Sequence, residues 1–213
     1  RRLDPATGKP SLGDTTLHTL SARPRVPPID GSVEAPTIVR RDGWWVGGMA
    51  KGAGMLAPAL ATMLVVITTD AVVPAADLDK ALRAATRVSF DRLDSDGCQS
   101  TNDTVTVLAS GASGVTPSAE EFTAALTEAC TSLARQLLAD AEGADHEISI
   151  TTVNAATEDE AVEVGRSVAR SNLFKAAVFG KDPNWGRVLA SIGTTTAAFD
   201  PADLDVAMND VWV

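Results

Sequence analysis

A formal charge of −10 over 213 residues sets nucleic acid and anionic membrane aside as principal partners, because phosphate recognition wants a basic face. With 45% hydrophobic and 22% charged residues, the chain has the apolar material for a packed core and too much of it for wholesale disorder. Two histidines and two cysteines exclude a histidine-rich metal site and a disulfide framework, and the most apolar run, Met63 to Ile67, is far shorter than the roughly 20 residues of a membrane helix.

Residues 1–40 hold Pro5, Pro10, Pro24, Pro27, Pro28 and Pro36 without an apolar period, and are expected to be irregular. From residue 41 to 213 the pattern is that of a folded core. Trp44 to Ala50 reads as a strand running into glycines, and Met63 to Thr69 as a short, β-branched, buried strand. Pro74 to about Val88 reads as a helix with Leu78, Leu82 and Ala85 on one face. Thr104 to Leu108 is a further strand. Ser118-Ala-Glu-Glu121 fits a capping box, opening a helix through Phe122, Leu126, Cys130, Leu133 and Leu137 to about Ala139. Ile148 to Val153 is a strand, and Thr157-Glu-Asp-Glu160 a second capping box whose helix runs to about Asn172. Alternating strands and helices predict an α/β or α+β class, with layered sheets flanked by helices.

The chemistry-bearing residues are few. His18 and His146 suit solvated surface positions better than a catalytic triad, and Cys98 and Cys130 suit reduced thiols of a cytosolic protein. No Walker or Rossmann glycine loop is present; Gly47-Gly48 and Gly52-x-Gly54 lack the spacing of a phosphate cradle. What stands out is the run from Gly47 to Leu64, where a lone Lys51 sits among glycines and Ala61 precedes Thr62 at the mouth of a hydrophobic strand. The Thr62 hydroxyl can attack the Ala61 carbonyl, and hydrolysis of the resulting ester frees the Thr62 α-amine. That amine titrates near working pH and can act as base for its own hydroxyl. Spacing alone equally fits an ordinary strand-start threonine.

Lys51-Gly-Ala-Gly-Met-Leu-Ala-Pro58 with Ala61-Thr62-Met63-Leu64 resembles the cleavage region of the glutamate N-acetyltransferase family, also called ornithine acetyltransferase. Asp94-Ser-Asp-Gly97 with Ser100-Thr-Asn-Asp-Thr104 is similar to its second signature, Asp140-Ala-Glu-Gly-Ala144 to its third, and Lys175 through Val188, with Asp182-Pro-Asn-Trp-Gly-Arg187, to its fourth. The resemblance covers about residues 42–213 and implies an N-terminal-nucleophile-like architecture. It implies self-cleavage between Ala61 and Thr62 and transfer of acetyl from N-acetylornithine to glutamate through an acetyl-Thr62 ester, in the cytoplasm. Lys51, Thr62 and Glu142 match positions that contact substrate, with Lys51 suited to a carboxylate and Glu142 to an ammonium. No metal or cofactor is implied; some members accept acetyl-CoA as donor. Two copies of each cleaved chain would assemble into a heterotetramer.

Asn102, Asp103, Asn184 and Arg187 are expected to hold the cleft in shape, and Trp185 to be a core or subunit-contact aromatic. The family's N-terminal Thr-Gly oxyanion pair and its C-terminal segment have no counterpart here; Thr7-Gly8 is too near Thr62 to be equated with the former. A lost oxyanion donor costs about 2.7–4 kcal/mol in the transition state. Other readings are a related threonine-nucleophile amidohydrolase or aminopeptidase, which would pass the acyl group to water, and a truncated paralogue without catalysis.

Overall fold

A computed structural model describes residues 15–21, 37–52, 54, 63–95, 97–98, 101–141, 143 and 146–213, with side chains from residue 37 onward. In chain order its main elements are β1 (Thr15–Ser21), β2 (Thr37–Arg41), β3 (Trp44–Lys51), β4 (Leu64–Thr69), α1 (Ala75–Arg87), β5 (Leu93–Asp94), β6 (Thr104–Ala109), α2 (Ala119–Ala139), β7 (His146–Thr152), α3 (Glu158–Arg170), α4 (Asn172–Phe179), α5 (Trp185–Ile192), β8 (Ala207–Met208) and β9 (Val211–Trp212). The α/β class read from the alternation of elements is the one observed. The residues fall into two compact units.

The first unit is built on a four-stranded sheet in the order β2-β3-β4-β6. β2/β3 and β3/β4 are antiparallel, while β4 and β6 are parallel, with α1 in the crossover between them. Side chains alternate across the sheet. Val39, Val46, Ala50, Val65 and Ile67 are buried on one face, beneath Phe122, Leu126, Leu133 and Leu137 of α2, which packs on β2 and β3. Burying each such aliphatic or aromatic side chain is worth about 1.5–3 kcal/mol. On the opposite face Ile38, Met49, Leu64, Val66 and Leu108 are exposed. α1 packs against α2 through Ala81 and Ala85. The α2 start is capped as its sequence predicts: Ser118 Oγ accepts from Glu121 N–H at 3.2 Å, and Glu121 Oε2 accepts from Ser118 N–H at 3.1 Å.

In the second unit β1 pairs antiparallel with β7, from Thr15↔Thr152 to Ser21↔His146, and α3 packs on both strands. Val168, Phe174 and Ile192 form a small core with Ile148, Ile150, Val164 and Val188. Strand β1 lies inside the stretch expected to be irregular. Its seven residues, Thr-Thr-Leu-His-Thr-Leu-Ser, contain no proline and are rich in β-formers, so local composition overrides the proline density around them. The helix expected to run to Asn172 instead breaks at Ser171. Ser171 takes an extended ψ of 109° and its hydroxyl accepts from Phe174 N–H, ending α3 and starting α4. The second capping box forms by half. Thr157 Oγ1 accepts from Glu160 N–H at 3.1 Å, whereas Glu160 Oε2 is buried without a hydrogen-bond partner among the described residues. Helices α4 and α5 lie where the sequence offered only a signature.

Candidate active site

The expected nucleophile Thr62, the cleavage partner Ala61 and the expected ammonium ligand Glu142 lie outside the described residues. Met63, which follows Thr62, and Ala141 and Gly143, which flank Glu142, are described and belong to the first unit.

Lys51 is the last residue of β3, exposed, and paired across the ladder with Leu64, the first residue of β4. Its side chain alternates with buried Ala50 and so shares the outer sheet face with Leu64. Met63, between position 62 and β4, is buried and held at both backbone groups. Its N–H donates to Asp103 Oδ1 at 2.7 Å, and its carbonyl accepts from Thr104 N–H at 2.8 Å. Thr104 opens β6 opposite Leu64.

Helix α2 runs toward the same end of the sheet. Trp44 at the start of β3 stacks on Phe122 with ring centroids 5.9 Å apart. Further along, Glu128 pairs with Arg41 at 2.7 Å, Ser132 bonds to Thr37 at 3.0 Å, and Gln136 donates to Thr37 at 2.8 Å. Because Arg41 lies opposite Trp44 and Thr37 opposite Gly48, α2 runs in the direction of β3 and ends beside its last residues. Asp140 caps the helix, Ala141 is buried, and position 142 follows directly. Lys51, the chain leading from position 62 and the Asn102–Asp103 segment therefore lie at one end of the sheet, and α2, packed on the face opposite the Lys51 side chain, runs toward that same end. The C-terminal end of a helix carries partial negative charge and favours a cation. Lys51 provides a positive charge at the same end, which a chain of net charge −10 must supply locally to hold an anion.

The remaining candidates act structurally. Asp103 holds the Met63 amide. Asn184, at the start of α5, donates to Asp182 Oδ2 at 2.9 Å, and Arg187 Nη1 donates to the Leu173 carbonyl at 2.6 Å, tying α5 to α4. These three fit the expectation that they hold shape. Trp185 is half exposed, which leaves the subunit-contact alternative and sets aside the core one, because it is the first residue of a short helix that buries only Ser191 and Ile192. Cys98 is exposed and Cys130 is buried within α2. Among the described residues no cluster of His, Cys, Asp or Glu could hold a metal ion, and no helix is long and apolar enough to cross a membrane. Sequence reasoning singled out Asp103 but missed what it touches. An acceptor side chain immediately before a parallel strand was the available signal.

The ArgJ family model matches residues 31–213. The arginine biosynthesis bifunctional protein ArgJ of Streptomyces coelicolor is 65% identical over 182 residues, covering 85% of this chain and 48% of that protein. The protein of the same name from Mycobacterium leprae is 53% identical over 201 residues, covering 94% and 48%. The crystal structure of the arginine biosynthesis bifunctional protein argJ from Bacillus halodurans shares the fold with a TM-score of 0.60 at 34% identity, covering 68% of this chain and 70% of that one. The chain thus spans about half the length of the curated relatives it matches.

Proposed function

The chain belongs to the ArgJ family, and from that premise we propose that it transfers an acetyl group from N-acetylornithine to glutamate through an ester on Thr62, in arginine biosynthesis. The observation that supports this reading is that Lys51, opposite Leu64 in the ladder, and the anchored Met63 backbone next to position 62 lie at the same end of one sheet. Self-cleavage comes first. The Thr62 hydroxyl adds to the Ala61 carbonyl, the Ala61–Thr62 C–N bond breaks as its nitrogen takes a proton, and water hydrolyses the ester. The products are an Ala61 carboxylate and a free Thr62 α-amine beside its own hydroxyl.

In transfer, that amine takes the hydroxyl proton as the oxygen attacks the acetyl carbonyl of N-acetylornithine. The amide bond breaks and ornithine leaves carrying the proton. The glutamate amine then attacks the acetyl ester and restores the hydroxyl. Lys51 pairs with the substrate α-carboxylate, and Glu142 with the ornithine ammonium. This double displacement runs without metal or cofactor, and acetyl-CoA can load the same ester. The proposal includes a cytoplasmic enzyme of two α and two β chains.

The test supplies N-acetylornithine labelled in its acetyl group together with glutamate, and follows the label by mass spectrometry. Labelled N-acetylglutamate is expected, and Thr62→Ala abolishes it. Label found only in acetate would favour a hydrolase, and no turnover would refute the proposal.

A further inference from the structure

We propose that Asp103 is a positioning residue for Thr62, acting through the backbone of Met63; the inference rests on the reading of Thr62 as nucleophile. A peptide unit is planar, so the Met63 N–H lies in one plane with the α-carbon of residue 62. By accepting that N–H at 2.7 Å, Asp103 Oδ1 fixes the orientation of the unit that carries the nucleophile. The next unit is fixed as well, because the Met63 carbonyl accepts from Thr104 N–H at 2.8 Å. Two consecutive residues at the mouth of β6 thus clamp the residue following Thr62 at both polar groups.

The strand itself does not need this carboxylate. β4 is already laddered along its whole length to β3 on one side and β6 on the other. A charged acceptor on a backbone N–H makes a bond roughly twice as strong as a neutral one. It stands at the one amide between the ladder and position 62, where displacement by about 1 Å can cost on the order of 100-fold in rate.

Position and charge of the acceptor separate in two variants. Asp103→Asn keeps an oxygen in place without charge; Asp103→Glu keeps the charge but moves it by one methylene. Each is followed by the half-time of Ala61–Thr62 cleavage (intact mass), by kcat and KM for acetyl transfer, and by amide exchange at Met63, after matched melting curves confirm folding. Asp103→Asn is expected to slow cleavage and kcat by about 3-fold. Asp103→Glu is expected to slow both by about 10- to 100-fold with KM unchanged, and to speed Met63 exchange. Should Asp103→Glu not fold, Asp103→Ala takes its place with the same expectation. A glutamate variant as fast as wild type, or an asparagine variant as slow as glutamate, would overturn the inference. A wild-type chain that stays uncut and inactive while its Met63 amide is protected would instead sink the nucleophile reading, and this inference with it.

Discussion

Leu133 lies over Gly48 so closely that a Cβ on the glycine would stand 3.1 Å from Leu133 Cδ1, and 3.0 Å from both Ile67 Cγ1 and the Val66 carbonyl. Helix α2 thus rests on the backbone of β3. The glycine pair beside Lys51 is explained at Gly48 by helix–sheet packing, without any phosphate. Gly48→Ala is expected to destabilise the protein by about 1–3 kcal/mol, since an added methyl in a close-packed site forces its neighbours apart. Urea unfolding checks this; an unchanged midpoint would mean that α2 shifts freely.

Strand β4 offers a contrast between adjacent residues. Ile67 is fully buried beneath α2, and Val66 is 45% exposed on the other face. Ile67→Ala is expected to cost about 2–5 kcal/mol. Val66→Ala should cost under about 1 kcal/mol, mostly β-propensity. Equal losses in chemical denaturation would contradict the assigned faces.

The two helix starts differ in the same testable way. Ser118→Ala should cost about 1 kcal/mol and Glu121→Ala a smaller amount, because both halves of that box are made. Glu160→Ala should stay within about 0.5 kcal/mol of wild type, or gain, since its Oε2 is buried without a partner among the described residues. Thermal melts of the three variants decide it.

Cys130 makes stability fall at alkaline pH. Burial pushes its thiol up from 9.0 to about 12, partly offset by a hydrogen bond with Ser89. Between those values the unfolded chain loses the proton and the folded chain keeps it, so stability present below about pH 9 is lost as pH rises toward 12. Cys130→Ala should show a shallower decline. Iodoacetamide at pH 8 should spare Cys130 in the native protein, its thiol being protonated and buried; rapid native labelling there would contradict the assignment.

Much of the fold was legible because each legible element buries a periodic face. The α2 pattern from Phe122 to Leu137 and the β-branched run of β4 both face one core. Strand β1 was hidden because its seven residues sit in proline-dense surroundings and gain order from a partner 131 residues on, His18 opposite Ser149 being typical of a pairing that no local window can contain. The break at Ser171 was missed because serine is a tolerable helix interior residue until its hydroxyl finds a free amide to cap. At the site, the sequence named Lys51 and Asp103 from residue type and motif. That β3, β4 and β6 bring Lys51, Met63 and Asp103 to one end of the sheet follows only from the strand order β2-β3-β4-β6 and its register.

The mass of freshly purified protein, taken with that of a Thr62→Ala variant, tests the central claim most directly. The account predicts two fragments divided between Ala61 and Thr62, the second gaining one acetyl group on exposure to N-acetylornithine, and an uncut variant. An uncut wild-type chain that takes up no acetyl, or acetylation that persists in the variant, would contradict it.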